Sequence, residues 1–564
     1  LDALNLVLLV GAALLFIGLL LGSLSPRLGV PSLLVFLVVG MAAGTDGFGG
    51  IEFNDFELAY LVSNIALAVI LLDGGLRTRF STFRVSLRPA LTLATIGVVL
   101  TAVTVGGFAI WLLDLDWRIG LLLGCIIGST DAAAVFSLIR GIGITLNERV
   151  ASTLEVESGM NDPIAIFMTV LLIEVITEPE VNLGIESLLT LIQQFGVGAI
   201  LGAGLGTLLA QLLGKLRSNE GLHALLLCTG GATVFATTNA LGGSGFLAVY
   251  IAGLVAGNRY GGASDDVLRA MDAMAWLAQS VMFLLLGLLV TPSTLGEHGI
   301  EAIIIALFLM FIARPLAVWL CLLPFHFDWR EKIFVSWTGL RGAVPIVLAM
   351  FPLLAGIGET RLLFNVTLIV VLASLLLQGS TMGLVAKLLR LSMPPLPEPL
   401  QVSAWQGASQ LHLIQFVVEP GARADGKTLA SLAVGKAQPL VILRGEQTLN
   451  DLSSVVMAGD HVAWLSPIVD KGSLATMCQT MTPSIQRFYG DFTVRADIQL
   501  ADLAEAYGIT LPDPALAKLT LNALFLRKIG LPVVGDALHI GGLRLRVRSM
   551  DGERADQIGI RLPH

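Results

Sequence analysis

The chain has 564 residues, 55% of them hydrophobic and only 13% charged, with a formal net charge of −8. A mean hydropathy of +0.83 excludes an ordinary soluble globular chain, because such an excess calls for repeated apolar stretches of bilayer-spanning length. The negative charge argues against nucleic acid as a partner. The absence of a GxSxG elbow, a Walker loop or a kinase signature argues against an enzyme and against a nucleotide-driven pump.

In chain order, apolar runs predict spanning helices near 3–23, 30–45, 57–73, 89–113, 118–139, 149–176, 186–212, 221–240, 244–257, 268–290, 300–323, 331–356 and 361–388, about thirteen in all. The first run, Ala3 to about Gly22, is long enough to span and lacks a cleavage pattern, so it is expected as a helix rather than a signal peptide. Loop charge gives a second reading of the same count. Arg27, the cluster Arg77, Arg79, Arg84 and Arg88, then Arg140, Arg149, Lys215, Arg217, Arg259, Arg269, Arg330, Lys332, Lys387 and Arg390 fall in or beside alternate loops. The other loops are mainly acidic. Positive loops mark the cytoplasmic side, so the N-terminus is expected outside and the C-terminus inside, as an odd helix count requires. This makes a multi-pass membrane protein.

The apolar pattern stops near Leu391, which predicts a membrane domain over 1–390. Residues 391–400 contain Pro394-Pro395-Leu396-Pro397-Glu398-Pro399, expected as a stiff linker. Beyond it, short β-like runs at Leu411–Val418, Pro439–Leu443 and His461–Leu465 predict a small α+β domain over 401–484. A second unit over 485–564 is expected to hold a helix at Leu500–Tyr507 and strands near Ala537–Ile540 and Leu543–Val547. The fold class is thus a polytopic α-helical membrane protein with C-terminal soluble α+β domains. Cys125, Cys228, Cys321 and Cys478 lack CxxC spacing and are expected to be packing residues.

Ionisable residues inside a bilayer are costly and mark functional candidates. The fifth span contains Gly128-Ser129-Thr130-Asp131. The sixth contains Glu157-Ser158-Gly159-Met160-Asn161-Asp162-Pro163, and the eleventh Arg314-Pro315. The twelfth contains Gly339-Leu340-Arg341-Gly342-Ala343. Glu157 and Asn161 are four apart and share a helix face, while Asp162 lies about 100° further round. Spans 5 and 12 place polar residues among glycines and break their own apolar runs. Paired interrupted helices at matching positions, as in inverted repeats, point to a midplane substrate site. One lone Asp could serve as a structural ion-pair partner. Several carboxylates, an Asn and two Arg on interrupted helices make a purely structural role a poor account. Arg314 needs a counter-charge, and Glu157 is the obvious one. Asp73 closes the third run near the inner surface, where water could hydrate it. Gly202-Ala203-Gly204-Leu205-Gly206 follows no strand, so helix packing explains it better than a nucleotide loop.

These motifs, with Ser244-Gly245-Phe246-Leu247-Ala248-Val249, Gly253 and Gly257-Asn258, resemble the bacterial NhaP-type cation/proton antiporters over about residues 3–390. The resemblance implies a dimer with a core domain moving against a dimerisation domain. It implies that Asp162 binds the cation or the protons, with Thr130, Asp131 and Ser158 around the ion. It makes Glu157–Arg314 an ion bridge and gives Asn161 and Arg341 supporting roles. The Asn161-Asp162 pair looks like that of electroneutral members. Asp73 stands where such relatives commonly have Glu. Residues 401–484 look like the C-terminal lobe of regulator-of-potassium-conductance domains, and the segment after them like the CorC/HlyC transporter-associated domain. This combination resembles the potassium/proton antiporters of Gram-negative bacteria, which implies a bacterial inner membrane with the N-terminus in the periplasm and the C-terminus in the cytoplasm. The implied partners are membrane lipid, a second copy of the chain and a small-molecule effector of the tail. No cofactor is implied, only transported potassium or sodium and protons. Sodium, a channel and a membrane sensor stand as the rival readings.

Overall fold

Apolar backbone in hydrocarbon must satisfy its own N–H and C=O groups, so long apolar runs fold as helices. The computed structural model describes residues 2–562 except 29–30, 79, 142–143, 179–183, 216–219, 260–264, 395–399, 405–410, 435–436, 446, 468–470, 479, 481–482, 509–515 and 552–553. The chain forms two units, one of residues 1–143 with 149–391, the other of 144–148 with 392–564.

The first unit is built of α1 (Asp2–Leu28), α2 (Ser32–Ala43), α3 (Phe56–Arg77), α4 (Phe80–Thr92), α5 (Val98–Leu113), α6 (Trp117–Ile126), α7 (Ala132–Gly141), α8 (Glu148–Thr177), α9 (Ile185–Lys215), α10 (Glu220–Ala240), α11 (Gly245–Asn258), α12 (Asp265–Leu289), α13 (Gly299–Phe308), α14 (Arg314–Cys321), α15 (Trp329–Trp337), α16 (Ala343–Leu354), α17 (Thr360–Ser374) and α18 (Ser380–Leu388). Single π-helical turns at Leu93–Gly97, Leu309–Ala313 and Leu375–Gly379 join α4 to α5, α13 to α14 and α17 to α18. Among the described residues, nine helical stretches are long and apolar enough to cross a membrane. Four of the expected spans are instead shorter apolar helices: Ser32–Ala43, Trp117–Ile126, Gly245–Asn258 and Ala343–Leu354. For Trp117–Ile126 and Ala343–Leu354 the reason is visible in the chain. Each is one half of an expected span that the polar, glycine-containing stretch divides, α6 from α7 and α15 from α16.

Helix starts carry side-chain caps where the sequence supplies Asp. Asp55 accepts from the Leu58 N–H at 2.9 Å, Asp116 from the Arg118 N–H at 2.9 Å, and Asp328 forms a capping box with Glu331. Asp73 does not close α3 as expected. The helix runs one turn further to Arg77, and Asp73 is buried at 8% exposure. Gly74-Gly75 does not end the helix because Gly75 is needed for contact. A Cβ there would strike the Tyr250 carbonyl of α11.

Glycines set how closely these helices approach. On one face of α11, Cβ atoms at Gly253 and Gly257 would collide with the Leu72 and Leu76 carbonyls of α3. On the other, Gly198, Gly202 and Gly206 of α9, four apart, meet Ser244, Ala248 and Ala252 of α11. The glycine-rich stretch is therefore a packing surface inside α9, as its lack of a preceding strand suggested. The outer faces of α1 and α9 leave Leu8, Phe16, Ile192 and Ile200 exposed, at 69%, 61%, 59% and 74%.

The second unit holds two antiparallel sheets. The strands β1 (Gln401–Ala404), β2 (Leu411–Val417), β3 (Gln438–Arg444), β4 (Gln447–Leu449) and β5 (His461–Pro467) stand in the order β1-β2-β5-β3-β4. Alternate residues of β2, Ile414 and Phe416, turn inward and pack with Trp464, all at 0% exposure. At the edge of this core, Arg444 donates to Asp460 through Nε at 2.8 Å and Nη2 at 2.7 Å, and the Met457 N–H adds a third bond at 2.8 Å. Burial alone would raise the Asp460 carboxyl, but these donors hold it below the usual value. The other sheet joins β6 (Phe492–Arg495), β7 (Ala537–Ile540), β8 (Leu543–Asp551) and β9 (Arg554–Arg561) in the order β6-β9-β8-β7. Its inner face presents Leu545, Val547, Ile558 and Ile560 to helices Leu500–Tyr507 and Leu521–Ile529. The proline-rich linker falls largely on 395–399, outside the described residues.

Gly253→Val tests the packing surface, since its Cβ would sit 2.5 Å from the Leu72 carbonyl oxygen. Overpacking of this kind costs about 1–3 kcal/mol. The expected outcome is a lowered melting temperature in detergent, whereas Gly204→Ala, which faces open space, leaves it near wild type.

Candidate functional site

An interrupted helix leaves its last carbonyls and the next segment's first amides without helical partners. The chain breaks twice in this way, at Ile127–Asp131 between α6 and α7 and at Thr338–Gly342 between α15 and α16. The two breaks cross and satisfy each other. The Asp131 N–H donates to the Leu340 carbonyl at 2.8 Å. Arg341 Nη1 donates to the Gly128 carbonyl at 2.6 Å and to the Ser129 carbonyl. Arg341 is 1% exposed, and its own N–H donates to Ser374 Oγ at 3.0 Å, which in turn donates to Gln378 Oε1 at 2.6 Å. Its positive charge sits at the C-terminal end of α6, where the helix dipole favours a cation. Asp131 acts at the opposite kind of end. Its Oδ1 accepts the Ala134 N–H at 3.0 Å, within the first turn of α7. Gly342 is required at the crossing, because a Cβ there would collide with the Asp131 carboxylate.

Helix α8 runs past the crossing and contributes four polar residues. Asn161 Nδ2 donates to Thr130 Oγ1 at 2.6 Å, and Ser158 Oγ donates to the Thr130 carbonyl at 3.0 Å. Asp162, 6% exposed, accepts from Ser129 Oγ at 2.5 Å. Asp162 thus faces the broken fifth span, in the direction its 100° offset from Glu157 and Asn161 implied. Glu157 faces α14 instead. Its Oε1 lies 2.6 Å from Arg314 Nη1, with the two side chains at 1% and 3% exposure. Among the described residues the Glu157 carboxylate has this ion pair and no further hydrogen bond, and Nε and Nη2 of Arg314 make none. Gly339 makes room for this pair, since a Cβ would lie 2.8 Å from Arg314 Nε.

A cavity of about 350 Å³ reaches Asp162, Asp131 and Ser158 and extends to Asp73, Arg77, Glu155 and Asp272. Asp162 is therefore buried in protein but open to this space. Thr130 and Asn161 do not line it; they stand behind the wall, bonded to each other. Asp73 does line it, paired with Arg77 at 2.9 Å rather than simply hydrated. Ser129, Glu155, Tyr250 and Asp272 were not singled out from the sequence. Ser129 sits inside the quoted Gly128–Asp131 stretch, which was its only local signal. Glu155 and Asp272 resemble ordinary helix-end charges until the fold brings them to one wall.

Removing one partner of the Glu157–Arg314 pair strands a buried charge, at a cost of about 3–5 kcal/mol. Glu157→Gln and Arg314→Leu are each expected to lower thermal stability, and the double variant to cost less than the sum. Full additivity in detergent melting would show that the two side chains are energetically uncoupled.

Comparison with known proteins identifies the family. The profile of the transmembrane sodium/hydrogen exchanger family matches residues 12–388, and that of the transporter associated domain matches 485–564. The K(+)/H(+) antiporter NhaP2 of Shewanella oneidensis is 43% identical over 570 residues, spanning 100% of this chain and 99% of its own. The K(+)/H(+) antiporter NhaP of Alkalimonas amylolytica is 42% identical over 565 residues, 98% and 97% of the two chains. Among solved structures, the sodium proton antiporter MjNhaP1 of Methanocaldococcus jannaschii superposes with a TM-score of 0.58 at 27% identity, covering 68% of this chain and 99% of that one. The chain belongs to the sodium/hydrogen exchanger family, as a multi-pass membrane protein that carries a transporter associated domain at its C-terminal end.

Proposed function

We propose that this antiporter exchanges potassium for protons across a bacterial inner membrane, with Asp162 as the carboxylate that carries them in turn. The observation that carries the mechanism is Asp162 itself, buried at 6% exposure yet opening on a cavity beside two crossed helix breaks. A single carboxylate in a dry site cannot hold a proton and a cation at once, so release of one accompanies binding of the other. The entering ion loses water, and oxygens must replace it. Asp162, Asp131 and Ser158 offer oxygens on the cavity wall. Asn161 and Thr130 serve by fixing the broken backbone behind them, Arg341 by neutralising its carbonyls, and the Glu157–Arg314 pair by joining α8 to α14.

Potassium is supported by the names of the two full-length relatives at 42–43% identity. With one such carboxylate exchanging one cation for one proton, the cycle moves no net charge. The loop charges support a periplasmic N-terminus and a cytoplasmic C-terminus, with the Asp73–Arg77 mouth of the cavity facing the cytoplasm. Residues 401–484, a five-stranded lobe, are read as a module of the kind that ends potassium-conductance regulators. With the domain after it, this lobe forms a tail that responds to a small cytoplasmic effector. A homodimer accounts for part of the apolar surface on α1 and α9, lipid for the rest.

Reconstituted vesicles with a trapped pH dye test the exchange. Potassium is expected to drive proton movement in the wild type, and Asp162→Asn to abolish it while the protein still inserts and folds. Potassium-driven proton movement in that variant would remove Asp162 from the mechanism, and a response to sodium alone would overturn the assignment of potassium. In the same vesicles an imposed membrane potential is expected to leave the rate unchanged. Clear acceleration by the potential would show that a second charge moves, with Asp131 the first candidate.

A further inference from the structure

Among the described residues, the cavity that reaches Asp162 is lined by five carboxylates, those of Asp73, Asp131, Glu155, Asp162 and Asp272, and by one cationic side chain, Arg77. They fall into two groups along the helices. Glu155 lies seven residues before Asp162 on α8, two turns along the same face. It accepts from the Thr78 hydroxyl at 2.7 Å, just past the end of α3. Asp73 and Arg77 are one turn apart on α3, and Asp272 comes from α12. Three of the carboxylates, Asp73, Glu155 and Asp272, thus stand towards the end of α3, while Asp131 and Asp162 lie at the helix crossing.

Arg77 occupies this outer group. Its Nε bonds Asp73 Oδ2 at 2.9 Å, its Nη2 lies 3.2 Å from Asp272 Oδ1, and Nη2 also donates to the Leu268 carbonyl at 2.8 Å. The Arg77 side chain is 28% exposed and that of Asp272 is 57% exposed, whereas Asp73 is at 11%. The guanidinium can move outward with Asp272 and give up its bond to Asp73 without entering the low-dielectric interior. A side chain tethered one turn from its carboxylate competes at a high effective concentration, and a mobile cation must displace it or endure its repulsion to pass inward.

We propose that Arg77 is a tethered competitor for the outer carboxylates of the cavity and sets the potassium concentration at which exchange half-saturates. The inference rests on the exchange reading and on this mouth facing the cytoplasm, where potassium is abundant and a low affinity still allows turnover. Arg77 touches neither Asp162 nor Ser129. It acts on the ion through the occupancy of Asp73 and Asp272, so it is a positioning residue, and its removal is expected to change affinity rather than the exchange step.

The experiment titrates potassium on the cavity side of reconstituted full-length protein at constant ionic strength, with choline as the replacement cation. Arg77→Gln is expected to lower the half-saturating potassium concentration by about threefold or more, with the maximal rate within about twofold of wild type, because the competitor and its repulsion are both gone. Arg77→Lys restores a tethered cation and is expected to return the half-saturation towards wild type. Asp272→Asn leaves Asp73 as the chief counter-charge of Arg77 and is expected to raise it. A structural clip predicts a different pattern: Arg77→Gln with unchanged half-saturation and a lower maximal rate or melting temperature, which overturns the proposal. If Arg77→Gln does not fold, Asp272→Asn decides alone, and an unaltered half-saturation there is equally fatal. The wild-type cation series keeps the two readings apart. Should another monovalent cation replace potassium as substrate, the same titration with that ion still tests the competitor.

Discussion

Two helices that break inside an apolar bundle expose backbone groups that no water is available to satisfy, and the rest of the site depends on how those groups are paired. Arg341 is central to the pairing. From the α15–α16 break it reaches the Gly128 and Ser129 carbonyls at the end of α6, while the Leu340 carbonyl beside it accepts the Asp131 N–H. Each break thus supplies what the other lacks. A crossing made this way holds Ser129, Thr130 and Asp131 on non-helical backbone, with a geometry that a continuous helix could not give. Gly342 and Gly339 are small because the Asp131 carboxylate and the Arg314 side chain lie where their Cβ atoms would be.

Around that crossing the polar groups divide their tasks by what they touch. Asn161 and Ser158 spend their donors on Thr130, which fixes the broken chain against α8. Glu157 and Arg314 neutralise each other between α8 and α14. Asp162 accepts from the Ser129 hydroxyl and opens on the cavity. The π-helical turns fall beside these contacts. One ends at Ala313, directly before Arg314, and one begins at Leu375, directly after Ser374, which receives the Arg341 N–H. An extra residue in a helical turn shifts the side chains that follow, and π turns are often found where function requires such an offset.

Much of this was readable along the chain. Apolar runs located the helices within a few residues, because hydrocarbon allows little else. The polar stretches Gly128–Asp131 and Gly339–Gly342 stood out because such residues are costly inside a bilayer, and the offset of Asp162 from Glu157 and Asn161 followed from helix geometry alone. Strands β2, β3 and β5 showed through their β-branched and aromatic residues. β1, β4, β6 and β9 did not: they are short, or mixed with charge, and gain their apolar partners only from neighbouring strands. The end of α3 was misplaced by one turn, since the apolar run stops at Asp73 while the helix continues through Gly75, whose missing side chain lets α11 approach.

The sequence by itself determined that this chain spans a membrane many times, that two of its helices are interrupted, and which buried residues carry charge. Those facts follow from transfer free energy and helix periodicity, which act over a turn or a span. Only the tertiary structure decided which charges meet. It joined Glu157 to Arg314 across 157 positions of sequence, set Arg341 over carbonyls more than 200 residues earlier, and turned Asp162 to the Ser129 hydroxyl and the cavity. It also gathered Asp73, Glu155 and Asp272 around Arg77 on one cavity wall. Pairings of this range depend on how helices cross and pack, and no local pattern encodes them.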